Sequence, residues 1–126
     1  MLTCFLLEPV PDSDSLWKAP DGAVYQLGTV SAHGVPPAPP GAMWDASWLT
    51  GLSVCGARPF GGPDGRTLIV RTPGGDWVID GPSFRDGEPV GLGWTRTGEP
   101  PQITVTPSIV LPGYHAWLRD GSLIPV

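Results

Sequence analysis

The stretch from Ile103 to Val126, ITVTPSIVLPGYHAWLRDGSLIPV, constrains the fold of this chain more than any other part of it. Ile103 and Val105 alternate with Thr104 and Thr106, the period-two pattern of a half-buried strand, and Pro107 then interrupts hydrogen bonding along it. A second strand follows, with Tyr114, Ala116 and Leu118 on one face and His115, Trp117 and Arg119 on the other. Asp120-Gly121 supplies the left-handed pair of a hairpin turn, so that Ser122 to Val126 pairs back. Three neighbouring strands joined by short turns predict an antiparallel sheet.

A second hairpin is written into Thr67 to Asp80, TLIVRTPGGDWVID. Leu68 and Val70 share one face, Ile69 and Arg71 the other, and Trp77 and Ile79 alternate with Val78 and Asp80 after Pro73-Gly74-Gly75. Both faces carry apolar residues, which predicts a central position, buried on one side and partly covered on the other. Leu2 to Leu7 reads as an opening strand, closed by Pro9 and the acidic turn Pro11-Asp12-Ser13-Asp14. Ala19-Pro20-Asp21-Gly22 is a strong turn ahead of a strand from Ala23 to Leu27. Leu52 to Cys55 and Trp94 to Gly98 read as further short strands, with loop from Gly81 to Gly93.

The remaining segments are punctuated by 18 glycines and 17 prolines, a density that suits either disorder or a domain of short strands and many turns. Six tryptophans decide for the folded domain, because disordered chains are poor in aromatics. At 126 residues the chain reads as one domain able to bury roughly two-thirds of its unfolded surface. Val35 to Pro40, VPPAPP, must be extended, since each proline fixes φ and removes a donor; it is a linker or surface strap, or a peptide ligand. Gly41 to Thr50 is the one helical candidate: Trp44 and Trp48 stand four apart, on one helix face, with Gly51 as a stop. That pair is a core-facing stripe or an aromatic platform for a partner. The fold class is therefore mainly β: a small antiparallel roll, sandwich or open barrel with at most one short helix.

Composition narrows function mostly by exclusion. A net charge of −5 gives no electrostatic footprint for nucleic acid, and no apolar run reaches transmembrane length. Met1 to Leu7 lacks the basic region of a signal peptide, so the expected location is the cytosol. Cys4 and Cys55 form no Cys-x-x-Cys pair; they are two buried free thiols or a single disulfide. The aspartates of the first turn lack the ligand ladder of a calcium loop, and the glycine-rich loop Arg58 to Arg66 lacks the Lys-Ser/Thr ending of a phosphate loop, leaving Asp64-Gly65 as a turn. Neither histidine, His33 or His115, stands at metal-ligand spacing, so no metal or cofactor is expected.

Catalytic candidates reduce to His115 with Ser108 and Asp80 or Asp120, without a Gly-x-Ser-x-Gly elbow. The structural reading of the same strand makes Trp117 a buried core residue, worth roughly 3–5 kcal/mol against alanine, and His115 a hydrogen-bonded neighbour worth roughly 1–3 kcal/mol.

Five blocks carry a resemblance: Pro40-Gly41-Ala42-Met43-Trp44; Gly74-Gly75-Asp76-Trp77 with Asp80; Trp94 to Pro101; Pro107-Ser108-Ile109; and Tyr114-His115-x-Trp117-Leu118-x-Asp120-Gly121. Over about its C-terminal two-thirds the chain resembles a family of small proteins of actinobacteria and of actinobacterial phages and prophages, one without an assigned chemistry. Relatives with cysteines near the positions of Ser83 to Trp94 imply metal or a disulfide there, but this chain has none at those positions. What the resemblance implies is provenance. The functional expectation is a non-catalytic protein-interaction module of phage or prophage origin, a host-directed accessory protein or virion component, binding a protein partner through Trp44, Trp48, His115, Trp117 and Arg119. The competing expectation is a small hydrolase or transferase.

Overall fold

In the computed structural model, which describes residues 1–13, 15–28, 34–53, 58–85, 88–90 and 93–126, the two hairpins form the central layers of a stack of sheets. The C-terminal sheet has the order β1-β14-β13-β12-β11: β1 (Leu2–Thr3), β11 (Thr95–Glu99), β12 (Gln102–Leu111), β13 (Tyr114–Arg119) and β14 (Ser122–Pro125). A middle sheet runs β2-β6-β7-β8, from β2 (Phe5–Leu6), β6 (Ala42–Asp45), β7 (Leu68–Thr72) and β8 (Gly75–Val78). A small N-terminal sheet joins β3 (Glu8–Pro9), β4 (Leu16–Lys18) and β5 (Val24–Gln26), and a ribbon pairs β9 (Ser83–Arg85) with β10 (Glu88–Val90), where the sequence predicts only loop. The fold is mainly β, a layered sandwich in which, among the described residues, no sheet closes into a barrel.

Two cores result, one on each face of the middle sheet. Met43, Leu68, Val70, Trp77 and Ile79 meet Ile103, Val105, Ile109, Leu118 and Leu123 of the C-terminal sheet. On the opposite face Ala42, Trp44 and Ile69 meet Leu7, Trp17, Ala19 and Ala38. Because side chains alternate along a strand, β7 sends Leu68 and Val70 to one core and Ile69 and Arg71 to the other, and all its residues are buried.

The opening segment is extended, as its sequence predicts, but it belongs to no single sheet. β1 pairs antiparallel with β14, β2 parallel with β6, and β3 antiparallel with β4, so it supplies one edge strand to each sheet in turn. Cys4 N donates to Gly121 O at 2.7 Å and Leu7 N to Met43 O at 2.8 Å, which ties the C-terminal turn to the middle sheet through four residues. Leu2, Cys4 and Leu6 pack into or against the first core; Phe5 and Leu7 take the second. Cys4 is a buried free thiol whose pKa burial pushes up to about 11. Cys55 and His33 lie outside the described residues.

The helix expected over Gly41 to Thr50 does not form. Ala42, Met43 and Trp44 alternate between the two cores as strand β6, and only Ser47–Leu49 makes a 3-10 turn. A short apolar run buried on both faces looks the same as a helical segment in the sequence, and pairing with β2 and β7 decides the matter. Gly41, at φ +100°, sets the entry to the strand. Leu52 and Ser53, expected to begin a strand, are in none, and Leu52 is exposed.

The proline run is a strap. It lies alongside β5, where Gln26 N donates to Pro36 O at 3.1 Å and Ala38 N to Gln26 O at 2.9 Å, and Ala38 is buried in the second core. Proline has no N–H to give, so the strap is held chiefly by its carbonyls and by the single donor of Ala38. Arg71 supplies the matching donors from the middle sheet: Nη1 to Ala38 O at 3.0 Å and to Gly28 O at 3.2 Å, and Nη2 to Leu27 O at 2.6 Å. Its Nε is held by Asp76 at 2.7 Å.

Candidate functional site

The C-terminal sheet buries its inner face and leaves the outer one to solvent. Ala116 and Leu118 point inward and are fully buried, which directs His115, Trp117 and Arg119 outward, as their alternation predicts. Trp117, however, is only half-buried: the hairpin belongs to the core, but this indole does not, and the guanidinium of Arg119 lies 4.6 Å above it. His115 and Arg119 are exposed. The type of turn expected at Asp120-Gly121 is present, with φ of +46° and +74°.

Strand β12 runs through Pro107 to Leu111 instead of ending there, with a shift in register. Val105 faces Leu118 and Ile109 faces Ala116, so Thr106, Pro107 and Ser108 stand opposite the one residue Trp117. This bulge re-aims Ser108, whose Oγ lies 2.9 Å from His115 Nε2. His115 is flanked across the sheet by Val110, its pairing partner, and by Val126, whose N–H donates to His115 O; these valines are 68% and 70% exposed. Trp117 faces the half-buried Ile124 on β14.

Of the catalytic candidates, the structure brings Ser108 and His115 together and leaves Asp80 elsewhere. Asp80 is buried, accepts from Arg96 Nε at 2.8 and 3.1 Å, and takes Leu68 N at 2.9 Å. Both of its oxygens are occupied, so it does not orient the imidazole. Asp120 belongs to the turn, where its N–H donates to Thr104 Oγ1. Among the described residues, no group of three His, Cys, Asp or Glu side chains stands at metal-binding spacing.

Arg96 is a residue that motif reading passes over. Alternation along β11 points it inward, where it bridges Asp80 to Asp64 of the glycine-rich loop, with Arg66 beside Asp64. Burial alone would raise the Asp64 pKa, but hydrogen bonds and charge from Arg96, with help from Arg66, outweigh it and hold the carboxyl below its usual range. Burial likewise acts to lower the Arg96 pKa, and the two carboxylates reverse the effect. Gly62 makes room for the cluster, since a Cβ there would stand 2.7 Å from Asp80 Oδ1. The loop is thus clamped to the sheet by charge, and the signal for it in the sequence is an arginine at an inward strand position.

Trp44 and Trp48 occupy different environments. Trp44 is buried in the second core with its indole N–H unpaired, and Arg71 lies 5.2 Å over its ring. Trp48 sits on the 3-10 turn, 56% exposed, with its ring edge-to-face against Trp17 at 6.3 Å. A cleft lined by Ser15, Trp17, Gln26, Leu27, Gly28 and Trp48 opens there.

No helix among the described residues is long and apolar enough to cross a membrane. Comparison of the chain with protein-family models, curated proteins and solved structures gives no match.

Proposed function

We propose that the chain is a non-catalytic protein-interaction module that docks its partner on the outer face of the C-terminal sheet. The observation that carries this reading is the exposure of Val110 and Val126 on either side of His115, with Trp117, Ile124 and Arg119 beside them. Apolar side chains gathered on the water-facing side of a sheet are stabilised when a second surface covers them. Tryptophan and arginine are the residues most often found as anchors at the centre of such contacts. The resemblance to actinobacterial and phage proteins supports a host-directed accessory protein or a virion component.

The test is capture from actinobacterial lysate with the wild type and a Val110→Asp/Trp117→Ala variant, with circular dichroism to show that the variant keeps its sheets. A partner retained by the first and lost by the second is expected. Equal capture by both, or no specific partner for the wild type, overturns the reading.

A second reading has one observation in its favour, the 2.9 Å contact between Ser108 Oγ and His115 Nε2, the geometry of a hydroxyl and its general base. It supports a hydrolase or transferase in which Ser108 is the nucleophile. Asp80 takes no part, and His115 stands exposed on an open face. A fluorophosphonate label appearing on Ser108 and absent from His115→Ala would favour it over docking.

A further inference from the structure

We propose that the cleft between the opening strands and the entry to β7 binds a small zwitterion, an amino acid or short peptide whose ammonium and carboxylate are joined by an apolar body. Three segments meet there: Leu6, Leu7 and Glu8 of the opening strands, Asp45 at the end of β6, and Arg66 just ahead of β7. Trp17 of β4 adds an indole. The cleft, about 390 Å³, is at the small end of ligand sites. None of these residues belongs to the C-terminal sheet, so the site is separate from the docking face on that sheet.

Opposite charges share this cleft without neutralising one another. Arg66 makes one long contact, Nε to Asp64 Oδ2 at 3.9 Å, and among the described residues its two terminal nitrogens hold no partner. Asp45 Oδ1 accepts from Thr67 N at 3.0 Å, which fixes the carboxylate and leaves Oδ2 free. Glu8 stands opposite Lys18 on β4, yet among the described residues it forms no ion pair. A cation and two carboxylates thus stand around one apolar wall, made by the buried Leu7 and Trp17 with the half-buried Leu6.

These groups select the ligand class by what they offer. A simple anion that reaches Arg66 is repelled by Asp45 and Glu8, and a simple cation held by the carboxylates is repelled by Arg66. A neutral ligand strips water from all three charges and returns no counter-charge. A zwitterion answers both signs at once: its carboxylate takes the fork of the guanidinium, its ammonium donates to Asp45 Oδ2 and Glu8, and an apolar side chain covers the indole and the leucines.

The walls are ordered before any ligand arrives. Leu7 N donates to Met43 O at 2.8 Å, which ties the opening strands to β6. Ala46 N donates to Thr67 O at 2.7 Å, and with the bond from Thr67 N to Asp45 this ties β6 to the residue after Arg66. A site held in this way loses little conformational freedom on binding.

The experiment titrates the full chain with leucine, phenylalanine and the dipeptide Leu-Leu to millimolar concentration, following the backbone amide resonances of Leu7, Asp45 and Arg66. At least one of the three should shift them saturably. Saturation by a single amino acid assigns the site to free amino acids, and saturation by Leu-Leu alone assigns it to peptides. The N-acetylated and the amidated forms of the ligand that binds each lack one charge and should bind about tenfold or more weakly. Arg66→Gln should lose about as much affinity for the zwitterion and none for its amide. Asp45→Asn, whose Oδ1 still accepts from Thr67 N, should lose affinity for the zwitterion and none for its acetylated form. Arg66 is exposed and the asparagine is isosteric, so both variants keep the fold. The proposal is overturned if no zwitterion shifts these resonances, if the blocked forms bind as tightly as their parent, or if either variant binds the zwitterion as the wild type does.

Discussion

The two faces of the middle sheet are closed in different ways. On one, Leu68 and Val70 meet a sheet whose strands β12 and β13 run for ten and six residues, and the contact is made by apolar side chains, Trp77 among them. On the other, Ile69 and Arg71 meet strands of two or three residues and a proline strap. A long strand in a hairpin carries its register with it and delivers several inward side chains at once. A strand of three residues delivers one or two, and the strap lacks most of its donors, so the second layer depends on Arg71 bonding to three backbone carbonyls. Burial of area closes the first layer, and hydrogen bonds from a buried cation complete the second.

The sharpest test of that difference starts in the first core. Leu118→Ala should cost about 2–5 kcal/mol in urea denaturation, because the fully buried side chain leaves a cavity between two sheets. Protection of backbone amides against hydrogen exchange should then fall throughout the molecule. Arg71→Met should cost less, about 1–3 kcal/mol, from carbonyls left without their donor. Its loss should be local: the amides of Gln26 and Ala38 should exchange faster while those of β12 and β13 keep their protection. Equal loss in both layers would show that the two cores open as one unit and that the distinction has no energetic content.

Smaller effects are expected on the outer face. Trp117→Ala should cost about 1–2 kcal/mol, not the 3–5 kcal/mol of a buried indole, since Trp117 is half-buried under Arg119. His115→Ala should change stability by no more than about 0.5 kcal/mol, because both it and its contact with Ser108 are exposed. Thermal melts of the two variants check this order. A large loss in His115→Ala would make the Ser108 contact part of the fold and remove it from the list of free surface groups.

The smallest effect is a pH dependence of the loop clamp. The folded-state pKa of Asp64 lies below its unfolded value, so its contribution is present above the unfolded carboxylate range and disappears as pH falls through the folded value. Stability should therefore decline on acidification below the usual carboxylate pKa, and Asp64→Asn should flatten part of that decline. An unchanged pH profile in Asp64→Asn would mean that Arg96 is held by Asp80 alone.

By itself the sequence determined the local β geometry. Period-two alternation in Leu68–Thr72 and Tyr114–Arg119, and Asp120-Gly121 at positive φ, are properties of neighbouring residues, and the structure keeps them. Ser108 and His115 could be named as a pair, but the bulge at Pro107 is what set their distance. Tertiary structure alone decided that Ala42–Asp45 is a strand, that residues 2–9 divide among three sheets, and that Trp44 is buried while Trp48 is not. It also decided that Asp64, Asp80 and Arg96 meet. In each of these cases the deciding partner is far away in the chain: β7 for β6, β14 for β1, the strap and Arg71 for Trp44. A short apolar or charged segment carries no local record of what will pair with it, and the free energy of that pairing exceeds its own conformational preference.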